Sequence, residues 1–354
     1  MGHTSIPAVT ECLPHGAPAG LGRTVMLALA TLSATSCTLL PTLPAPMPLR
    51  SEIVLASTTR NELISFNAGQ PAQVLTRLPL TGLQANERLA GIDFRPATGK
   101  LYGLGTTLRL YTIDTASGRA TQVGKGPLAL RLSGSEFGFD FNPVVDRIRV
   151  VTDKGENLRL HPDTGALVDA DPARAGLQID VNLRYDEEDQ NGGRLPRISA
   201  AAYSNGVNGT TPGTADSPKL TTNFAIDAIL GVLVTQGTRE NTSPAYAPAT
   251  PNTGLLFTVG TLGVQPDGPV SFDIASGAPG AAASAHKTGT AFAAFIPLGK
   301  NAATLYQINL ETGTASALGI IDRGEPVTGI AIQPAGDAAN QNVAPAVTPA
   351  ASRP

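Results

Sequence analysis

The sequence predicts an all-β fold: a β-propeller of four-stranded antiparallel blades, with the ring closed by the C-terminal strand. Three observations predict it. Residues 110–124 and 305–319 are copies of one unit, an alternating strand, an Asp or Asn opening a turn, a Gly, and a second alternating strand. The 38 Gly and 29 Pro are spread along the chain at regular turn positions, and no stretch keeps a helical register. Finally, Gly329-Ile-Ala-Ile-Gln-Pro334 copies Gly91-Ile-Asp-Phe-Arg-Pro96 at the far end, supplying the strand the first blade lacks. A ring closed in this way has no long unpaired edge.

Taken in chain order, residues 1–37 read as a leader with a lipoprotein-type signal. Arg23 is followed by a short apolar run from Thr24 to Ser36, then by Cys37. A positive residue, an apolar run and small residues before a cleavage point make a secretory signal, and about 20 apolar residues would be needed for a membrane span. Ala34-Thr35-Ser36-Cys37 resembles the lipobox of bacterial lipoproteins, with Ala34 where that pattern prefers Leu. The resemblance implies lipidation of Cys37, and Thr38 in place of Asp implies sorting to the outer membrane. The other cysteine, Cys12, lies upstream, so a mature chain starting at Cys37 has neither free thiol nor disulfide. The 354-residue chain begins long before Arg23, so the true start codon stays open.

Residues 38–51 form a Pro-rich linker, and residues 52–334 the propeller. The first blade has only three strands of its own, at residues 53–56, 63–66 and 74–78. The second covers residues 91–124 and the third residues 138–168. A divergent fourth runs over residues 198–260 and a fifth over residues 270–319, where Val270-Ser-Phe-Asp-Ile274 is a degraded copy of the first-strand phrase. This makes five blades, or six if residues 177–197 hide further strands. Residues 335–354, mostly Ala, Asn and Pro, read as a disordered tail.

Composition narrows the function. The formal net charge is −3, which argues against a nucleic-acid partner. Trp is absent, and sugar sites usually stack rings on broad aromatic faces. His161 and His286 are the histidines beyond the leader, no Gly-x-Ser-x-Gly elbow occurs, and no phosphate-cradling loop is present.

The phrases Gly91-Ile-Asp-Phe-Arg-Pro-Ala-Thr-Gly99, Gly138-Phe-Asp-Phe-Asn-Pro-Val-Val-Asp-Arg-Ile-Arg-Val-Val151, Val232-Leu-Val-Thr-Gln-Gly237 and Asn252-Thr-Gly-Leu-Leu-Phe-Thr-Val-Gly260 are closely similar to an exported bacterial family. That family is catalogued as domain of unknown function 4394, a propeller-like repeat protein. The resemblance spans residues 52–334 and implies a secreted repeat domain. It brings no catalytic residues.

Three constellations are candidates for chemistry. Asp93, Asp140 and Asp273 hold equivalent places in the first strands of three blades, the strands that line a propeller's channel. They suit either a glycosidase's paired carboxylates or acceptors for backbone donors between blades. Arg147 and Arg149 lie two apart on one strand, with Asn157 and Arg159 on the next. With Asp140 or Asp146 they suit a bidentate grip on a carboxylate or phosphate, or else a salt-bridged blade edge. Glu187, Asp189 and Asn191, followed by Gly192, resemble alternate ligands of a calcium loop, but Ile198 stands where the terminal bidentate Glu belongs. Ca²⁺ is therefore the single candidate cofactor.

The expectation is an exported cell-envelope domain that binds or scaffolds, with an envelope protein, a glycan or a small ligand as partner. It would meet the membrane only through the lipid on Cys37. The alternatives are a glycan-acting hydrolase using the three aspartates and a calcium-stabilised lectin-like module.

Overall fold

The repeated first-strand phrase, Gly-x-Asp at Gly91 and Gly138 with diverged copies in the other three blades, builds the innermost strands of five antiparallel sheets arranged as a five-bladed propeller. The structure is a computed structural model and describes residues 47–206, 212–213, 220–239, 249–275 and 291–334. All of them lie in one compact unit that begins at Pro46. Cys37, the rest of the leader, the start of the linker, the 335–354 tail and His286 lie outside the described residues.

Blade 1 joins both ends of the domain. Strands β1 (Ile53–Thr58), β2 (Glu62–Asn67) and β3 (Val74–Pro79) are completed by β20 (Val327–Ile332), which pairs with β1 in the register Val54↔Ile332 and Ala56↔Ile330. Blade 2 holds β4 (Leu89–Phe94), β5 (Leu101–Gly105), β6 (Leu110–Ile113) and β7 (Ala120–Val123). Blade 5 holds β16 (Ser271–Ile274), β17 (Ala291–Phe295), β18 (Thr304–Ile308) and β19 (Ala315–Ile320).

Blades 3 and 4 depart from the expected pattern. Blade 3 has three strands, β8 (Phe137–Asn142), β9 (Arg147–Thr152) and β10 (Asn157–Leu160). Its fourth strand is reduced to a bridge between Leu160 and Leu167, because the chain turns away at Asp169, whose Oδ1 accepts from the Asp171 and Gln178 amides. Blade 4 has β12 (Ile198–Tyr203), β13 (Asn223–Asp227), β14 (Val232–Gln236) and β15 (Leu255–Thr261). The stretch that kept a sixth blade open contributes β11 (Arg184–Tyr185), a two-residue parallel addition to β15. A 3₁₀ turn at Pro251–Thr253 precedes β15. No helix among the described residues is long and apolar enough to cross a membrane.

The inner strands explain their own sequence. Successive side chains alternate between two faces, so Ile92 and Phe94 join the cluster shared with blade 1 while Gly91 and Asp93 face blade 3. Phe139 and Phe141 likewise join the cluster shared with blade 2, leaving Gly138 and Asp140 toward blade 4. The glycine is needed for close approach. A Cβ on Gly138 would stand 2.7 Å from the Ala201 nitrogen and 2.7 Å from Val151 Cγ2. Gly138→Ala is therefore expected to cost about 1–3 kcal/mol, read as a lower midpoint in urea with an unchanged slope.

Turns between the outer strands reuse one device. Asp114 Oδ1 accepts the amides of Ala116 and Ser117, and Asn309 Oδ1 those of Glu311 and Thr312. Gly118 and Gly313 then take the positive φ that closes each hairpin. This is why the two repeat copies share Asp or Asn and Gly at the same spacing.

Candidate functional site

The three repeated aspartates meet at the propeller axis. Inner strands β4, β8 and β16 carry them, and one oxygen from each lies within 4.8 Å of the others. Their exposures are 7% for Asp93, 4% for Asp140 and 6% for Asp273. Each reaches across to the backbone of the next blade. Asp93 Oδ2 accepts from Phe141 N at 2.7 Å, Asp140 Oδ1 from Tyr203 N at 2.9 Å, and Asp273 Oδ2 from Ile332 N at 2.5 Å. The equivalent places in blades 4 and 1 are Ala202 and Ala331, each one residue before the acceptor's partner.

Those two alanines shape the cluster. Ala202 offers no acceptor to the next blade, and the Ile274 amide turns instead to its own neighbour, Asp273 Oδ1, at 2.6 Å. Asp93 in the same way takes the Phe94 amide, which stands beyond Ala331. Asp93 and Asp273 thus each take two backbone donors, and Asp140 is left with Tyr203.

Electrostatics favour protons or a cation here. Burial pushes the Asp93 carboxyl well up, and the charge of Asp273 adds to it. Burial also raises Asp140, helped by Asp93 and Asp273. Asp273 is pushed up to about 7 by burial, against the lowering effect of the Ile332 and Ile274 amides. Oxygen donors of this kind suit a hard cation. Access from the adjoining stretch of the axis is narrow. The cavity there, lined by Gly91, Gly138, Ala201, Ser271 and Gly329, measures about 20 Å³. That is room for about one water, whereas ligand sites run to about 300–1,000 Å³.

The basic stripe folds inward. Arg149 is 2% exposed and faces blade 4, where its Nε donates to the Tyr203 hydroxyl. Its Nη1 donates to Asn157 Oδ1 and to Asp180 Oδ2, and its Nη2 to Asn252 Oδ1. Arg159, opposite it in the ladder, forms a bidentate pair with the same Asp180 at 2.8 and 2.7 Å. The carboxylate that this stripe grips is the chain's own. Arg147 stays half-exposed and donates to the Asp146 and Val145 carbonyls. The Asp146 carboxylate turns to blade 2, accepting from Arg95 Nε and Nη2 at 2.9 and 2.5 Å.

In the acidic loop, Asp189 and Asn191 come together on Thr258. Asp189 Oδ2 accepts the Thr258 amide, its Oδ1 accepts the Thr258 hydroxyl, and Asn191 Nδ2 donates to that hydroxyl. Glu187 is exposed. Among the described residues, the acidic side chains close enough to share a metal are Asp93, Asp140 and Asp273, a group that takes in neither Glu187 nor Asp189.

The profile of the Domain of unknown function (DUF4394) matches residues 62–331, more than half of the chain. The chain belongs to the DUF4394 family. No curated protein matches it. Among solved structures, the DUF4394 domain is similar to a chain of a nidogen/laminin complex at 10% identity, covering 80% of this chain and 98% of that one, with a TM-score of 0.39. It is also similar to a chain from the complex of BBS1N with ARL6DN, at 12% identity, 75% and 60% coverage and a TM-score of 0.31.

Sequence reasoning missed two residues of this DUF4394 domain that organise the charged groups. Asp180 lies in the irregular stretch where no periodicity marks a buried side. Arg95, 8% exposed, stood inside the repeated phrase, where its Asn142 counterpart in blade 3 gave no sign of a partner.

Proposed function

We propose that this DUF4394 protein is an exported cell-envelope domain that binds or scaffolds, anchored through lipid on Cys37 and placed in the outer membrane. The observation that carries the reading is where the chemistry-bearing side chains are directed. Asp93, Asp140 and Asp273 hold the backbone of neighbouring blades, and Arg149 and Arg159 hold Asp180. These groups serve the ring, and a rigid closed ring presents its loops and gaps for recognition. The signal-like run before Cys37 supports export, and Thr38 after it supports the outer membrane.

The test has two arms. Cys37→Ser is expected to move the protein from the membrane fraction to the soluble envelope fraction; a variant that stays in the membrane removes the anchor. Tagged protein is expected to retain a protein, glycan or small ligand from envelope extract. Hydrolysis of any member of a glycan panel, lost in Asp140→Asn, would replace the binding reading with a hydrolase.

A further inference from the structure

The gaps between blades are filled in different ways. Between blades 3 and 4, Arg149, Arg159 and Asp180 occupy the space with Asn252. At blade 5, the Arg50 guanidinium lies 5.5 Å from the Phe292 ring centroid and donates to Gln307. Between blades 1 and 2 the wall facing the gap carries short side chains instead. Ser65 and Thr76 sit opposite each other there and share a hydrogen bond of 2.6 Å. A cavity of about 840 Å³ remains, inside the range of sites for small ligands.

The lining points to a chemistry. Leu55 and Leu63 of blade 1 face Phe94, Leu101 and Ile113 of blade 2, so the floor is apolar. Leu75 at the side is 41% exposed. The charged lining residues are Arg50, Lys100 and Asp114. Asp114 Oδ1 is turned back into its own hairpin by the Ala116 and Ser117 amides and the Ser117 hydroxyl. Lys100 is exposed, and its ammonium enters no ion pair among the described residues. Arg50 is engaged by Glu52 and Gln307 and lies over Phe292. That leaves Lys100 as the cation in the lining that pairs with no carboxylate among the described residues, and it favours an anionic head over an apolar body.

We propose that the cleft between blades 1 and 2 is a binding site for a single-chain anionic amphiphile, an acyl-like chain carrying one acidic head. It deepens the binding reading above by naming the site and the ligand class. The apolar chain lies against Leu55, Leu63, Phe94 and Leu101, and the head group meets Lys100.

Anilinonaphthalene sulfonate titrated into the full chain tests this, with a thermal melt of each sample to confirm the native fold. The expected result is saturable fluorescence that laurate displaces. Thr76→Trp fills the cleft from the outer strand and is expected to weaken both ligands about tenfold or more. The chain has no other Trp, so the new indole also reports directly on laurate. Lys100→Glu, on the surface, is expected to weaken laurate severalfold while leaving dodecanol unchanged. If Thr76→Trp does not fold, Leu75→Glu at the exposed side replaces it. Equal binding in the cleft variants and parent would overturn the site, and equal affinity for laurate and dodecyltrimethylammonium would overturn the anionic head. If envelope capture succeeds while laurate binds the cleft variants as tightly as the parent, the cleft fails while the binding domain stands.

Discussion

Melting temperature is expected to fall as pH rises from about 5 to about 8 in the presence of a chelator, and Asp140→Asn is expected to flatten that fall. An unfolded Asp titrates near 3.9. Burial raises the folded-state values of all three axial aspartates, Asp273 to about 7. A raised carboxyl favours the folded state while it keeps its proton. That stability is complete below the unfolded value and is lost as pH climbs through the folded one. Every tenfold gain in proton affinity on folding is worth about 1.4 kcal/mol, so the cluster carries a pH-dependent contribution of a few kcal/mol. The three groups titrate as one coupled set, so the slope belongs to the cluster and not to a single residue. Asp140 is the informative position. It has the fewest backbone donors, and Asn keeps an oxygen for Tyr203 N while removing the charge. Calcium or magnesium bound at the axis would oppose the trend, raising the melting temperature most at high pH, and Asp140→Asn would abolish that rise. A parent melting temperature indifferent to pH and to divalent ions would overturn this account of the axis.

The architecture was legible because local rules and the global fold agree. The Asp or Asn with a following Gly in each hairpin marks a turn whose donors and φ angle need those residues. The inner strands repeat because each meets the same neighbours, a core behind and a backbone in front. Even ring closure was written in a copied phrase, since β20 performs for blade 1 what β4 performs for blade 2. The fourth strand of blade 3 failed to appear because a turn at Asp169 outcompeted it locally.

Sites were far less legible, for two physical reasons. A buried charge in a loop, such as Asp180, follows no period, so only the fold reveals which arginines it meets. The cleft between blades 1 and 2 depends on volume that Ser65 and Thr76 leave unfilled, and a pattern of polar and apolar letters does not record unfilled volume. The arginine stripe shows the cost of reading a strand alone. Alternation placed Arg149 and Arg159 together, but not the loop that closes over them.

Asp180→Ala is expected to be among the most destabilising single substitutions in the domain. Asp180 is 4% exposed, and three donors from two arginines converge on its carboxylate. Removing it strands Arg149, itself 2% exposed, with only neutral partners at Tyr203, Asn157 and Asn252. Breaking a buried pair by deleting one partner costs about 3–5 kcal/mol, because the remaining charge stays desolvated. For a domain of this size that corresponds to a fall of roughly 5–15 °C in melting temperature. Pairing Asp180→Ala with Arg149→Met removes the stranded charge and is expected to recover a large part of the loss, although Arg159 then keeps no carboxylate. The double-mutant cycle measures the coupling directly. A single variant that melts within about 2 °C of the parent, a difference worth about 1 kcal/mol or less, would mean that water or a displaced loop solvates Arg149. A double variant no better than the single one would assign the loss to the loop that Asp180 ties down, and not to the buried charge.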